Sequence, residues 1–280
     1  MNDHRQLAGQ DRDWAKHLII WCFVVIELLP LYLMLQGSVK DNADFLRSPW
    51  LPIVPRSWHW ENWAFAFRLV LPYITNTLFV AVFSSAASLA FSIMAAYFFA
   101  RYQMPFSRML WSAFLALMLL PSVANIVPLF VLLKHLSLLN SLWALIIVGA
   151  ASGQIFNVYV LRNFIEDLPR DLFEAAEIDG ATHLQQIVNI VIPMSAPIIG
   201  TLSILAFLSQ WNDFLLPLIV LRDRSSFTLG VGLIYLDGEY VKQWGQIMAA
   251  YFIASLPLIV IFLFSMRLFV RGLSAGAVKG

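Results

Sequence analysis

The sequence predicts an all-α, polytopic membrane protein with six transmembrane helices, and its composition and charge spacing carry that prediction. Hydrophobic residues make up 60% of the 280-residue chain and charged residues only 12%, whereas an ordinary soluble domain is about a quarter charged. The mean hydropathy is +0.75. The few charged residues also leave uncharged stretches at least as long as the roughly 20 residues that a helix needs to cross a bilayer. A soluble fold is therefore excluded.

The uncharged stretches predict where the membrane spans lie. Four stretches lack any charged side chain, and two further apolar stretches contain a single acidic residue each, Glu27 in the first and Asp213 in the second. The spans are predicted at residues 18–35, 73–100, 109–133, 137–161, 197–220 and 245–268. The transmembrane domain then covers residues 18–270, between an N-terminal segment, 1–17, and a C-terminal tail, 271–280.

An even number of spans places both termini on one side of the membrane. Of the 18 Lys and Arg residues, ten fall in the segments on that side and eight on the other. Cytoplasmic segments normally hold the excess of positive charge. The prediction is that both termini are cytoplasmic, although the bias is small.

The polar loop between the fourth and fifth spans carries the signals of two short helices. Asp171 is an N-cap candidate, and Glu174 three residues later completes a variant capping box. Gly180 stands where a glycine commonly ends a helix. Thr182 begins a second capping box, and Pro193 is expected to end the second helix.

The first of these short helices has the composition of a docking surface. Ala175 and Ala176 remove side-chain bulk, while Leu172, Phe173 and Ile178 supply apolar anchors. An amphipathic helix laid into a groove is a common mode of protein recognition. The alternative interpretation is an inter-span loop without a partner.

These residues carry a resemblance to a known family. Glu174-Ala175-Ala176 is followed after three residues by Gly180, and Ile190 and Pro193 follow at the family's spacing. The stretch, within residues 165–193, resembles the EAA loop of binding-protein-dependent ABC importer permeases. The single departure is Ile192, where the family usually has Leu.

Further segments resemble the carbohydrate-uptake branch of that family, which includes the inner-membrane subunits of the maltose transporter. These segments are Ile-Asp-Gly-Ala at 178–181, Trp-Asn-Asp-Phe at 211–214 and the terminus at 272–280. The resemblance implies a multi-pass subunit of the cell (inner) membrane that is not itself an enzyme. It also implies several partners: a second permease subunit in a heterodimer, two copies of a cytoplasmic ATPase that bind ATP and Mg, an extracytoplasmic solute-binding protein and a carbohydrate substrate.

The same resemblance implies roles for particular residues. The first loop helix would be a coupling helix seated in a cleft of the ATPase, and the tail would reach the ATPase pair. The implied coupling residues are Asp171, Phe173, Glu174, Ala175, Ala176, Asp179, Gly180 and Pro193, and the implied tail residues are Gly272, Gly276 and Lys279.

Nothing in the sequence indicates catalysis or metal binding by this chain. A phosphate-binding loop ends in Gly-Lys-Ser or Gly-Lys-Thr, and no Gly-Lys dipeptide occurs here. The five histidines are scattered, with no pair at metal-ligand spacing on a helix. The net charge of +1 without a dense basic run gives no reason to expect nucleic acid as a partner.

Polar side chains within the spans are candidates for the substrate pathway, because such groups are costly in a bilayer unless a neighbouring helix or water satisfies them. Each could instead form an interhelical hydrogen bond, and that alternative stays open. Gly149 and Gly153 form a Gly-x-x-x-Gly pair that predicts close helix packing. The pathway candidates are Asn76, Asn125, Gln154, Asn157, Gln210, Trp211, Asn212 and Asp213.

Two other classes of protein remain as alternatives. An ion-gradient-driven secondary carrier usually shows internal repeats and buried ionisable groups. Here no clear repeat is visible, and only Glu27 and Asp213 lie within predicted spans. A purely structural membrane subunit is the third possibility.

Overall fold

The computed structural model describes residues 3–50, 58–102, 105–120, 122–237 and 242–277, and within them every regular element is helical. The helices, in chain order, are α1 Asp3–Ser38, α2 Asn42–Arg47, α3 Glu61–Arg101, α4 Ser107–Ala116, α5 Ile126–His135, α6 Leu142–Ala151, α7 Gln154–Glu166, α8 Arg170–Ile178, α9 His183–Gln186, α10 Ile192–Met194, α11 Ala196–Trp211, α12 Leu215–Val220, α13 Leu229–Asp237 and α14 Trp244–Ala277. Short 3-10 turns follow α4, precede α5 and precede α13. The all-α prediction is confirmed for the described residues.

Four segments of these described residues are long and apolar enough to cross a membrane: Lys16–Ser38, Glu61–Arg101, Ala196–Val220 and Trp244–Phe264. Helices α6 and α7 would form a fifth span if they count as one, since they meet at a bend of 41°. The remaining predicted span, the third at 109–133, corresponds to two shorter apolar helices, Ser107–Leu119 and Ile126–His135.

The break within the third predicted span follows from a proline. Leu120 is extended, at φ −80° and ψ 123°, and it precedes Pro121, which lies outside the described residues. A residue before proline is pushed out of the helical region by the proline ring. A run of apolar residues that spans a membrane by composition is therefore not one continuous helix.

The chain divides into two compact units, and the first comprises residues 1–70 and 235–257. In this unit the segment after α1 is bound to the start of α3. The side-chain amide of Asn62 donates to the carbonyl oxygens of Ser38 and Lys40, both at 3.0 Å. Only 2% of the Lys40 surface is exposed. Its ammonium donates to the carbonyl of Ser48 at 2.7 Å.

The second unit comprises residues 71–234 and 258–280 and contains the functional candidates. One buried cluster joins the end of α3, through Tyr97, to α7, through Leu161 and Ile165, and to α8, through Phe173. Residues after α9 complete this cluster, including Ile187 and Val191. The polar loop is therefore packed against the apolar helices of its own unit.

Candidate functional site

One aromatic side chain of α8, Phe173, is packed into the core of the second unit. Phe173 is only 2% exposed. Its ring centroid lies 6.4 Å from that of Tyr97. The guanidinium carbon of Arg101 lies 3.8 Å from the Phe173 centroid. The apolar side chains of Leu172 and Ile178 remain uncovered, with 41% and 86% of their surface exposed.

The start of α8 differs from the sequence prediction. Pro169, at φ −56° and ψ 129°, occupies the N-cap position, and no side chain caps the helix there. Asp171 lies in the first turn instead. The N-cap prediction for Asp171 is wrong because the proline already ends the preceding segment, yet its negative charge still suits the positive end of the helix dipole.

The end of α8 and the start of α9 follow the sequence signals closely. Gly180 adopts a left-handed conformation with φ +76°, and the amide of the next residue, Ala181, donates to the carbonyl of Ala176 at 2.8 Å. Thr182 and Gln185 form both bonds of the capping box. The backbone amide of Thr182 donates to the Gln185 side-chain oxygen at 2.7 Å.

Pro193 does not end the second helix, which corrects the sequence prediction. The chain continues from α9 through a π-helical turn, Ile187–Val191, into α10, Ile192–Met194, so Pro193 lies inside a helical segment. A π turn widens the helix and changes the hydrogen-bond spacing. The helix can therefore accept a residue that lacks an amide proton.

A polar cluster ties the α9 end of the loop to α3. The Tyr97 hydroxyl donates to the side-chain oxygen of Gln186 at 2.8 Å and lies 3.2 Å from His183 Nδ1. The Tyr102 hydroxyl lies 3.1 Å from the same nitrogen. These contacts fix the α9 end of the loop to the end of a long apolar helix.

Two cavities within the second unit meet at the break between α6 and α7. Gly153 begins α7 in a left-handed conformation, φ +71°. The smaller cavity has a volume of about 190 Å³ and the larger about 680 Å³. Both are lined by Gly149, Ser152, Ser209 and Gln210. The Gly-x-x-x-Gly pair therefore does not lie on one continuous helix, because Gly153 falls at the break.

Four of the eight pathway candidates line these cavities. Gln210 lines both, Asn157 lines the smaller, and Asn212 and Asp213 line the larger. The Gln210 amide donates to the Ser152 hydroxyl at 2.9 Å. Amide and carboxylate groups around a cavity of this size suit a ligand rich in hydroxyl groups.

The other four candidates lie elsewhere in the second unit. Asn76 donates to the carbonyls of residues 225 and 227, at 2.9 and 3.0 Å. Gln154 accepts from Ser92 at 2.7 Å and donates to two carbonyls. Trp211 is buried and stacks on Phe207, with centroids 5.7 Å apart, and Asn125 is an exposed residue at the start of α5. For Gln154 the interhelical alternative describes what the side chain does, whereas Asn76 binds the turn that precedes α13.

The sequence analysis missed the serines at the break. Ser152 accepts the Gln210 hydrogen bond and donates to the carbonyl of Gly149 at 2.9 Å. Ser88 accepts from Asn157 at 3.4 Å. The available signal was the Ser-Gly dipeptide inside an otherwise apolar stretch.

The predicted tail residues are only partly described. Gly272 and Gly276 lie within α14, Trp244–Ala277, while Lys279 lies outside the described residues. No group of three or more potential metal ligands occurs in the residues that the structure describes.

Several apolar helices of membrane-spanning length, together with polar cavities at a helix break, define a multi-pass membrane permease as the class of this protein. The family described as "Binding-protein-dependent transport system inner membrane component" matches residues 88–275. The chain belongs to this family, whose members are the inner-membrane permease subunits of ABC importers.

Named relatives and one solved structure show the same likeness over nearly the whole chain. The chain is 33% identical to the arabinooligosaccharides transport system permease protein of Bacillus subtilis, over 95% of each chain. It is 30% identical to the diacetylchitobiose uptake system permease protein of Streptomyces coelicolor, over 98% of this chain and 92% of that protein. A crystal structure of a bacterial ABC transporter that imports the acidic polysaccharide alginate contains a chain that matches with a TM-score of 0.80 and 20% identity, covering 93% of this chain and 97% of that one. This last likeness shows a shared fold.

Proposed function

We propose that this chain is the permease subunit of an ATP-driven carbohydrate importer and that α8 is its coupling helix. In this proposal six spans cross the membrane with both termini in the cytoplasm. The chain pairs with a second permease subunit, two copies of a cytoplasmic ATPase bind the ATP and Mg, and an extracytoplasmic binding protein delivers the sugar. Relatives named for oligosaccharide transport support the substrate class.

The observation that carries the proposal is the division of α8 into an anchored and an uncovered side. Phe173 is buried in the chain's own core, whereas Leu172, Ala175, Ile178 and Asp179 are exposed. A short helix with exposed apolar side chains and small residues fits a groove on a partner. Because Phe173 contacts the end of α3, displacement of α8 moves an apolar helix as well.

The break between α6 and α7 supports a pathway through the second unit. Broken helices commonly form the substrate sites of transporters, where freed backbone groups and polar side chains line a cavity. Gln210, Asn157, Asn212 and Asp213 meet this description. Their amides and carboxylate would exchange hydrogen bonds with sugar hydroxyls during passage.

The test is replacement of Glu174 by Ala in the importer reconstituted into vesicles with its copurifying subunits. We expect substrate-stimulated ATP hydrolysis and uptake to fall on the order of tenfold or more, the range of an allosteric coupling energy. Binding of solute to the external binding protein should not change. Glu61→Ala is the matched control, because this carboxylate is also exposed, at 71% of its side chain, and begins α3 instead of α8.

Two results would contradict the proposal. Uptake that continues without ATP but collapses with the ion gradient would identify a secondary carrier. Uptake and ATP hydrolysis that are equal in Glu174→Ala and the parent would leave α8 without a coupling role.

A further inference from the structure

A charged cavity separate from the α6–α7 break lies beside α8. Its volume is about 580 Å³, and its walls come from the end of α3, the start of α4, the end of α7 and one side of α8. Four arginines line it, Arg101, Arg108, Arg162 and Arg170, and Trp111 forms part of the wall. The proposed coupling role uses Phe173 and Glu174 of the lining but none of the residues of this arginine cavity on α4 or α7.

The arginines are only partly neutralised by the chain's own carboxylates. Arg162 forms an ion pair with Glu166 at 2.5 Å, while its buried Nε has no hydrogen-bond partner. Within the described part of the chain, Arg108 and Arg170 form no ion pair. Guanidinium groups bind phosphate oxygens through two parallel hydrogen bonds, so this wall suits a phosphate group.

The start of α4 adds backbone donors to the same wall. Ser107 and Arg108 are the first residues of this ten-residue helix and line the cavity. Phe106 precedes them with φ +60°, and no side chain caps the helix. The first amide groups of a helix lack intrahelical partners and favour an anion.

Carboxylates line the same cavity as the arginines. Glu174 and Glu177 line the cavity from α8, and the Tyr102 hydroxyl donates to Glu177 at 3.4 Å. Arg170 lies on α8 together with both carboxylates, so the lining holds guanidinium and carboxylate groups close together. A ligand with both a phosphate and an ammonium group would complement both kinds of charge.

The surface next to the cavity is suited to acyl chains. Phe106, Met109 and Leu110 flank the lining residues of α4, and 78%, 69% and 47% of their surfaces are exposed. Water-exposed apolar side chains at this density are unfavourable, whereas lipid chains would cover them at no cost. A ligand that joins a polar headgroup to apolar chains fits both the cavity and its border.

We propose that the arginine cavity binds the phosphoethanolamine headgroup of a membrane phospholipid. The phosphate lies against Arg108, Arg170 and the start of α4, and the ammonium faces Glu174 and Glu177. The acyl chains lie along Phe106, Met109 and Leu110. Basic pockets between transmembrane helices are known as headgroup sites in other membrane proteins.

The experiment measures lipid retained by the full-length chain, purified with its copurifying subunits, by native mass spectrometry after exchange into phosphatidylethanolamine, phosphatidylglycerol or diacylglycerol. We expect phosphatidylethanolamine to be retained best and diacylglycerol least. Arg108→Gln should weaken retention of both phospholipids by about tenfold, the effect of losing one charge-assisted hydrogen bond. Glu177→Gln should abolish the preference for phosphatidylethanolamine over phosphatidylglycerol.

Lys134→Gln is the matched control, since Lys134 is an exposed cation at the end of α5 and does not line the cavity. Its lipid retention should equal that of the parent, and melting temperatures identify any variant that fails to fold.

Unchanged retention in Arg108→Gln would overturn the proposal. So would displacement of the lipid by millimolar inorganic phosphate, or loss of the lipid whenever the ATPase is bound, which would identify a partner carboxylate as the occupant. The readout needs no transport, so it fails or succeeds independently of the proposed coupling role.

Discussion

Gln210 and Gln154 are amides in neighbouring helices of the second unit, yet their surroundings differ. Gln210 lines two cavities, and its amide donates to the Ser152 hydroxyl. Gln154 is bound to Ser88, Ser92 and Ala150. The same residue type thus serves an open cavity in one case and helix packing in the other.

Replacement of each glutamine by leucine tests this difference. We expect Gln210→Leu to lower sugar uptake with little change in melting temperature, because the amide that borders the cavity is lost. Gln154→Leu should lower the free energy of unfolding by about 1–3 kcal/mol, since its buried partners lose their hydrogen bonds. Uptake by the reconstituted importer and thermal unfolding in detergent provide the two measurements. Equal effects of both substitutions on uptake would contradict the assignment.

Gly149 shows why some small residues at the break could not be interpreted from the sequence. A Cβ atom at this position would lie 2.5 Å from the Gln210 side-chain oxygen and 2.6 Å from the Ser84 hydroxyl. The Gly-x-x-x-Gly spacing predicted close packing but not which side chain approaches. The approach is made by Gln210, more than 50 residues away in the chain, at a position that only the fold brings near.

At the level of elements, α8 combines one buried anchor with an exposed opposite side. Its end was visible in the sequence, because Gly180 and the Thr182 capping box act within a few residues. The position of Phe173 in the core was not visible, since it depends on Tyr97 and Arg101 at the end of α3.

Alanine substitutions on the two sides of α8 should separate stability from coupling. Phe173→Ala should lower the free energy of unfolding by about 3 kcal/mol, because it leaves a cavity in the core. Ile178→Ala should leave stability unchanged, since Ile178 is 86% exposed, but should weaken stimulation of the ATPase. Denaturation in detergent and ATP hydrolysis in vesicles measure the two effects. A stability loss in Ile178→Ala as large as in Phe173→Ala would show that α8 is packed differently.

The π turn after α9 is an element that local signals did not reveal. Pro193 predicted a helix end by its missing amide, and the chain instead remains helical through Met194. The wide turn at Ile187–Val191 is stabilised by burial of Ile187 and Val191 in the core of the second unit. Packing therefore overrides the local preference of the proline.

At the scale of the whole molecule, the proposed coupling role predicts which side of the membrane each segment faces. The charge bias of the loops is small, and the proposed coupling role requires α8 in the cytoplasm. The chain has a single cysteine, Cys22, which is exposed on α1. It can be replaced by serine to give a background without thiols.

In that background, Ile178→Cys and Glu61→Cys report the orientation through a membrane-impermeant maleimide. We expect Glu61→Cys to be labelled in cells whose cytoplasmic membrane is intact and whose outer envelope admits the maleimide. Ile178→Cys should be labelled only after the cytoplasmic membrane is permeabilised. Both positions are exposed, at 86% for Ile178 and 71% for the Glu61 side chain. Labelling of Ile178→Cys in unpermeabilised cells would exclude contact with a cytoplasmic ATPase.

The sequence by itself determined the class of fold, the end of α8 and the start of α9, because these depend on local physics. Long uncharged stretches need a membrane, and glycine and capping residues end and begin helices within a few residues. Tertiary structure decided which polar side chains meet. It brought Gln210 to Ser152 at the break between α6 and α7. It also brought four arginines, one from each of α3, α4, α7 and α8, around one cavity. These arrangements join residues distant in the chain, and no local preference encodes them.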